Sequence, residues 1–168
     1  GFNIHDNTFR NITGYAISMM NYKDSAVYNN NITACGAGII CAASERSHAN
    51  FYSSANGSNV RTSPMSLNCQ IYNNMVSIDS GANGSNYNNA NYGIWIFGEN
   101  LKQNTGTIPA GDWRASGVTV RNNQVTMNVA GGGIWLTGTK GVTVSGNTVT
   151  CNFQSKGKYG TGSGIRTE

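Results

Sequence analysis

Residues 118–128, VTVRNNQVTMN, and residues 142–152, VTVSGNTVTCN, are one phrase written twice, with GGGIWLTG at 131–138 standing between them. In each copy apolar residues alternate with others: Val118, Val120, Val125 and Met127 in the first, Val142, Val144, Val149 and Cys151 in the second. A period of two marks strands that bury one face and expose the other. Working outward, a shorter pattern recurs along the chain: an apolar residue, two others, Asn, one other, then an apolar residue. It reads Ile4-Asn7-Phe9, Val27-Asn30-Ile32, Ile71-Asn74-Val76, Val120-Asn123-Val125 and Val144-Asn147-Val149. Each is followed by a small residue and an aliphatic one: Ala16-Ile17, Gly38-Ile39, Gly93-Ile94, Gly133-Ile134 and Gly164-Ile165.

The five Asn are separated by 23, 44, 49 and 24 residues, by subtraction along the numbering. The short gaps set a basic period, and the long ones are that period plus insertions, at about 44–66 and within 79–116. A 44-residue gap could instead hold a further turn without its Asn, but residues 44–66 carry neither pattern. A unit of two or three short strands cannot bury its own apolar face, whereas units stacked on like units can. The whole chain, 1–168, is therefore expected to be a single solenoid domain. Phe2 and Ile165-Arg166-Thr167 already lie in strand patterns, so neither end carries a polar cap. The expectation is a part of a longer solenoid, or ends covered by a neighbour.

The repeated VTVRNNQVTMN and VTVSGNTVTCN with GGGIWLTG resemble coils of the right-handed parallel β-helix, the pectate-lyase-like solenoid of polysaccharide lyases, hydrolases, epimerases and phage tailspikes. The resemblance implies an all-β, right-handed, single-stranded parallel β-helix of about five coils with two large loop insertions. In that family an inward column of Asn forms a ladder at one bend, and Asn7, Asn30, Asn74, Asn123 and Asn147 match it. The physical reason is that a bend in a buried wall frees backbone groups, which an amide with donors and an acceptor can satisfy.

Composition agrees with this reading. The 168 residues include 25 Asn, 22 Gly, 16 Ser and 15 Thr, which are weak helix formers, so a helix bundle is excluded. Hydrophobic residues make up 38% and Pro only 2 residues, too much apolar material for an unfolded chain. No stretch approaches the roughly 18 consecutive apolar residues of a membrane-spanning helix. The opening GFNIHDNTF shows neither segment of a signal peptide. The net charge of +4 is spread without a dense basic run, so no nucleic-acid partner is expected.

On a solenoid, function lives on outward columns and insertions. Aligning the second strands, those that carry the small-aliphatic pattern, places Ile17, Ile39, Ile94, Ile134 and Ile165 inside, and Ser18, Ile40, Trp95, Trp135 and Arg166 outside. Trp95 and Trp135 would then lie about 4.8 Å apart, one strand spacing, as a platform for the apolar face of a sugar ring. The competing account is that an insertion or a second subunit covers these indoles. The first strands give another outward column, His5, Tyr28, Tyr72, Arg121 and Ser145. It suits an anionic glycan, or is simply a solvated wall.

Acids are few: Asp6, Asp24, Glu45, Asp79, Glu99, Asp112 and Glu168. Glu45 and Glu99 follow equivalent strands on adjacent coils, and each is expected on the turn that leaves its strand. Asp112 lies further along the second insertion. Paired carboxylates are what glycoside hydrolysis needs, so Glu45 and Glu99, with Asp112 in reserve, are the candidate acid and base or nucleophile. The alternative is ordinary solvated loop acids. The Ca²⁺-holding acids of pectate lyases, the three Asp of polygalacturonases and the signature motif of mannuronan epimerases have no clear counterpart here. No cofactor is therefore expected, with Ca²⁺ as the alternative for which the sequence offers no clear site.

Cys35, Cys41, Cys69 and Cys151 allow two disulfides or four buried thiols, and the inward positions of Cys41, Cys69 and Cys151 favour thiols. No zinc-type spacing is present. The expected function is binding or cleavage of a polysaccharide or cell-surface glycan, extracellular or on a virion, with Trp95, Trp135, Arg166, Arg121 and Tyr72 on the substrate. The alternative is a non-catalytic fibre or spacer acting through oligomerisation, for example as a homotrimer.

Overall fold

The computed structural model describes residues 1–20, 22–43, 67–79, 91–101, 111–152 and 163–167. They build a parallel β-helix of five coils with three walls. The first wall holds β1 (Asn3–His5), β4 (Ala26–Tyr28), β7 (Cys69–Tyr72), β12 (Val118–Arg121) and β16 (Thr143–Ser145). The second holds β2 (Thr8–Arg10), β5 (Asn31–Cys35), β8 (Met75–Ile78), β13 (Gln124–Met127) and β17 (Thr148–Cys151). The third holds β3 (Tyr15–Met20), β6 (Ala37–Ala43), β9 (Asn91–Leu101), β14 (Gly131–Thr137) and β18 (Ser163–Thr167). Within every wall, neighbouring strands come from successive coils and run parallel.

Register follows the repeat residue by residue. Ile17 pairs with Ile39, Ile39 with Ile94, Ile94 with Ile134 and Ile134 with Ile165. A single apolar core fills the interior, in which Val27, Ile32, Ile71, Ile94, Val120 and Ile134 are among the fully buried side chains. Each row buries its aliphatic face only because the row above and the row below bury theirs, which is the cooperative logic of a solenoid.

The bend between the first and second walls carries the Asn ladder. The backbone N–H of each Asn donates to the side-chain Oδ1 of the Asn one coil on: Asn7 to Asn30 at 3.1 Å, Asn30 to Asn74 at 3.0 Å, Asn74 to Asn123 at 3.0 Å and Asn123 to Asn147 at 2.9 Å. The Nδ2 groups donate to carbonyls of their own coil and of the preceding one, for example Asn74 to Tyr72 at 3.1 Å and to Val27 at 3.0 Å. Asn30, Asn74 and Asn123 are buried, so these amides complete backbone groups that water cannot reach. The residue before each ladder Asn turns the chain through the left-handed region: Asp6, Asn29, Asn73, Asn122 and Gly146, with φ between 55° and 62°. Asp24, Asn68, Gly117 and Gly141 do the same two residues before the register rows of the first wall. Asn, Asp and Gly tolerate that conformation best, which accounts for a part of the Asn and Gly content.

The glycine one residue before the inward Ile of the third strand has a packing cause in the three middle coils, at Gly38, Gly93 and Gly133. A Cβ on Gly93 would press on Val125 Cγ1 and lie 2.6 Å from the Gly133 carbonyl oxygen. On Gly38 it would lie 2.7 Å from Val76 Cγ1. Gly93 and the following Ile94 thus both turn toward the core, breaking strict alternation and leaving Tyr92 outside, in a separate cluster. Three further short strands decorate the coils. β10 (Gly111–Trp113) pairs antiparallel with the end of β9, and β11 (Ala115–Ser116) pairs parallel with β15 (Thr139–Lys140). Residues 44–66 lie outside the described residues, as do 80–90 and 102–110 of the second insertion.

Candidate functional site

Side chains in register on parallel strands lean the same way, so aromatic residues one coil apart meet face to face. Two outward columns obey this. On the first wall His5 stacks on Tyr28 with ring centroids 4.7 Å apart and an interplanar angle of 7°, and Tyr28 stacks on Tyr72 at 4.9 Å and 3°. The Arg121 guanidinium then caps the Tyr72 ring at 4.2 Å from its centroid. On the third wall Trp95 stacks on Trp135 at 5.7 Å and 22°, and the Arg166 guanidinium lies 4.9 Å from the Trp135 centroid. Both columns therefore run aromatic, aromatic, arginine on successive coils, with cation–π contact closing the row.

The outward direction and register expected for Trp95 and Trp135 hold, since the two are paired partners on β9 and β14. Their accessibility differs from a sugar platform. Trp95 is only 9% exposed, in a second buried cluster with Ile40, Ala42 and Tyr92. The Tyr92 ring packs on both indoles, at 4.7 Å from Trp95 and 4.5 Å from Trp135, and Phe97 leans on Trp95 at 5.1 Å. Trp95 Nε1 donates to Thr137 Oγ1 at 3.2 Å, whereas Trp135 Nε1 finds no acceptor among the described residues. The physical reason is the strand spacing itself: at one coil per step the indoles cover each other's faces instead of tiling one plane. Tyr92 escapes a strict period-two reading, because the inward turn of Gly93 reverses the phase. The recurrent Gly before Ile was the signal that could have located it.

The first-wall column is more open. His5 is exposed, and Tyr28, Tyr72 and Arg121 are half-buried. The rings cover one another's faces here too, so the column presents edges and polar tips. The Tyr28 and Tyr72 hydroxyls and the Arg121 guanidinium make no hydrogen bond or ion pair to any described residue. At the near end Asp6 Oδ2 lies 2.6 Å from His5 Nδ1. That contact with His5, and a second hydrogen bond from Asn29, hold the Asp6 carboxyl below the ordinary carboxylate range. The result is a row of ordered donors at strand spacing: two phenols and one guanidinium fixed by stacking and not hydrogen-bonded to any described residue.

Of the acidic candidates, Glu99 is placed differently from its expectation. Glu99 does not sit on a turn: β9 continues through it to Leu101, because β10 pairs with this extension and supplies the missing ladder bonds. In that antiparallel pair Glu99 is the register partner of Trp113, and Asp112 that of Asn100, so the two acids stand on adjacent rungs of one ribbon. Glu45 lies outside the described residues. Arg166 is on β18 and half-buried beside Trp135. Among the described residues no three His, Cys, Asp or Glu side chains converge as metal ligands. Compared with protein-family models, with curated proteins and with solved structures, the chain finds no match.

Proposed function

We propose that this β-helix binds a polysaccharide along its outer walls, in the manner of the pectate-lyase-like proteins and phage tailspikes that its repeats resemble, and that it acts outside the cell or on a virion. The observation that carries the reading is the first-wall row of Tyr28, Tyr72 and Arg121, ordered by stacking, with no hydrogen bond from their polar tips to any described residue. A flexible donor loses side-chain entropy when it binds, while a stacked one has lost it already. A polymer lying along the helix axis would meet one such group per coil, which suits a repeating ligand whose hydroxyl and acidic oxygens recur. Contact is by edges and polar tips, since the ring faces are occupied by their neighbours. Trp135 and Arg166 form the second half-open point on the third wall.

The test is a glycan array with titration of every hit. Arg121→Ala is expected to weaken binding about tenfold to a hundredfold, as loss of a charge-assisted hydrogen bond does. The double change Tyr28→Phe with Tyr72→Phe, which keeps the stack and removes only the hydroxyls, is expected to weaken it about tenfold. Unchanged affinity in both would sink the proposal.

A structural role is the second reading, favoured by the same columns for another reason: rings and guanidinium groups that tie coil to coil stiffen a rod. Light scattering separates the two, because an inert trimer speaks for a fibre segment and a monomer that retains glycan for the binding wall. Release of reducing ends from a retained glycan would show cleavage, and its loss in Glu45→Gln, Glu99→Gln or Asp112→Asn would identify the acids responsible.

A further inference from the structure

Coil one and coil five carry the edge strands of all three walls: β1, β2 and β3 on one face of the stack, β16, β17 and β18 on the other. At the Asn bend every internal step from coil to coil makes the same three contacts. The residue before the ladder Asn donates its N–H to a carbonyl of the next coil, as Asn122 does to Ser145 at 3.1 Å. The ladder Asn donates its own N–H to the next Oδ1, as Asn123 does to Asn147 at 2.9 Å. The residue after the next ladder Asn donates back to the carbonyl of the first, as Thr148 does to Asn123 at 2.9 Å. The two outer faces hold the two halves of one further step. On coil five the Gly146 and Asn147 N–H groups and the Asn147 carbonyl lack these contacts among the described residues. On coil one the His5 carbonyl, Asn7 Oδ1 and the Thr8 N–H lack theirs. The core opens at the same two faces: Val27, Ile32, Val120 and Val125 are at most 1% exposed, whereas Ile4 and Phe9 on coil one and Val144 and Val149 on coil five are half-buried. On the third wall Ile17 is already buried, and Ile165 is 55% exposed.

We infer that the outer face of coil five takes the outer face of coil one of a second copy, in a head-to-tail junction that repeats the internal step between coils. The donors and acceptors fit in only one sense. The Gly146 N–H of one copy would meet the His5 carbonyl of the next, the Asn147 N–H would meet Asn7 Oδ1, and the Thr8 N–H would return to the Asn147 carbonyl. Coil five set against coil five would bring N–H to N–H at this bend, so like faces repel and unlike faces pair. The apolar rows continue through the same junction, Val144 on Ile4, Val149 on Phe9 and Ile165 on Ile17, each the pairing that the repeat already makes inside the stack. Edge strands that offer a full row of backbone groups are templates for a further strand, and here the three edges of one face are matched by the three of the other. A head-to-tail contact without rotation closes no ring, so its product is an open filament. The junction uses the two faces of the stack and leaves the outer walls free, so it stands whether or not a glycan binds there.

Sedimentation velocity of the 168-residue chain, from about 1 to about 100 μM where a micromolar contact fills, tests this directly. The wild-type chain should grow with concentration past two and three copies without a plateau. Two variants each block one face. Ile165→Lys sets a charge on the open face of coil five, and Thr8→Pro removes an N–H that no internal step uses and fills the edge of coil one with its ring. Each alone should stay monomeric. Mixed in equal amounts they should form a dimer that grows no further, because each still carries the face that the other needs. Far-ultraviolet circular dichroism checks that both are folded. Asn7→Ala keeps the test open should either fail to fold: it removes only the acceptor for the Asn147 N–H and should weaken self-association about tenfold. A wild-type chain that is monomeric throughout or stops at a closed dimer or trimer would overturn the inference. So would a folded single-face variant that self-associates, a folded mixture that stays monomeric, or an Asn7→Ala chain that associates like wild type.

Discussion

Asn74→Ala should cost about 4 kcal/mol and lower Tm by about 10 °C, a large part of the stability of a domain this size. The side chain accepts from both the backbone N–H and the Nδ2 of Asn30, and donates to the Val27 and Tyr72 carbonyls and to Asn123 Oδ1. Alanine would strand these groups in an interior where Asn74 itself is 1% exposed. An unmet buried donor or acceptor costs about 1–3 kcal/mol, and several are orphaned at once. Asn7→Ala is the matched control. It occupies the same column on the first coil but is exposed, and among the described residues its Oδ1 accepts nothing. Urea melts followed by far-ultraviolet circular dichroism measure both, and Asn7→Ala should lose less than about 1 kcal/mol. If the two variants matched within error, the ladder would not be what holds this bend.

Gly93→Ala should cost about 2–3 kcal/mol, the upper part of the range for overpacking a filled core. The added methyl would meet Val125 Cγ1 from the second wall and the Gly133 carbonyl from the next coil, and neither strand can withdraw without breaking its own ladder. The same change at Gly164 has no atom within 4 Å of its Cβ and should be close to neutral. Adding Val125→Ala to Gly93→Ala should recover part of the loss and leave the carbonyl clash, which a double-mutant cycle reads as a coupling between the two sites. Thermal melts of the four proteins are sufficient, and a Gly93→Ala protein as stable as wild type would refute the packing account.

These two positions also mark how far the fold could be read in advance. The Asn spacing and the small-residue rows are printed in the sequence because successive coils repeat the same local need: an amide at one bend and, in the three middle coils, no side chain where two walls approach. The register of Ile17, Ile39, Ile94, Ile134 and Ile165 followed from that repeat. A second column of left-handed residues, at Asp24, Asn68, Gly117 and Gly141, was equally present but unrecognised, since Asp, Asn and Gly share no apolar signature. The extension of β9 through Glu99 was not legible, because the partner that sustains it, β10, interrupts the period.

By itself the sequence determined the coil, its period, and which side chains face the core, for these are nearest-neighbour properties copied from one turn to the next. Only the tertiary structure decided what the outward residues are available to do. Trp95 and Trp135 point outward as their parity demands, yet stacking one coil apart turns their faces on each other and on Tyr92. Tyr28, Tyr72 and Arg121 obey the same parity, and their polar tips make no hydrogen bond to any described residue. That difference arises because accessibility depends on what packs beside a column from other parts of the chain, whereas direction depends only on the column itself.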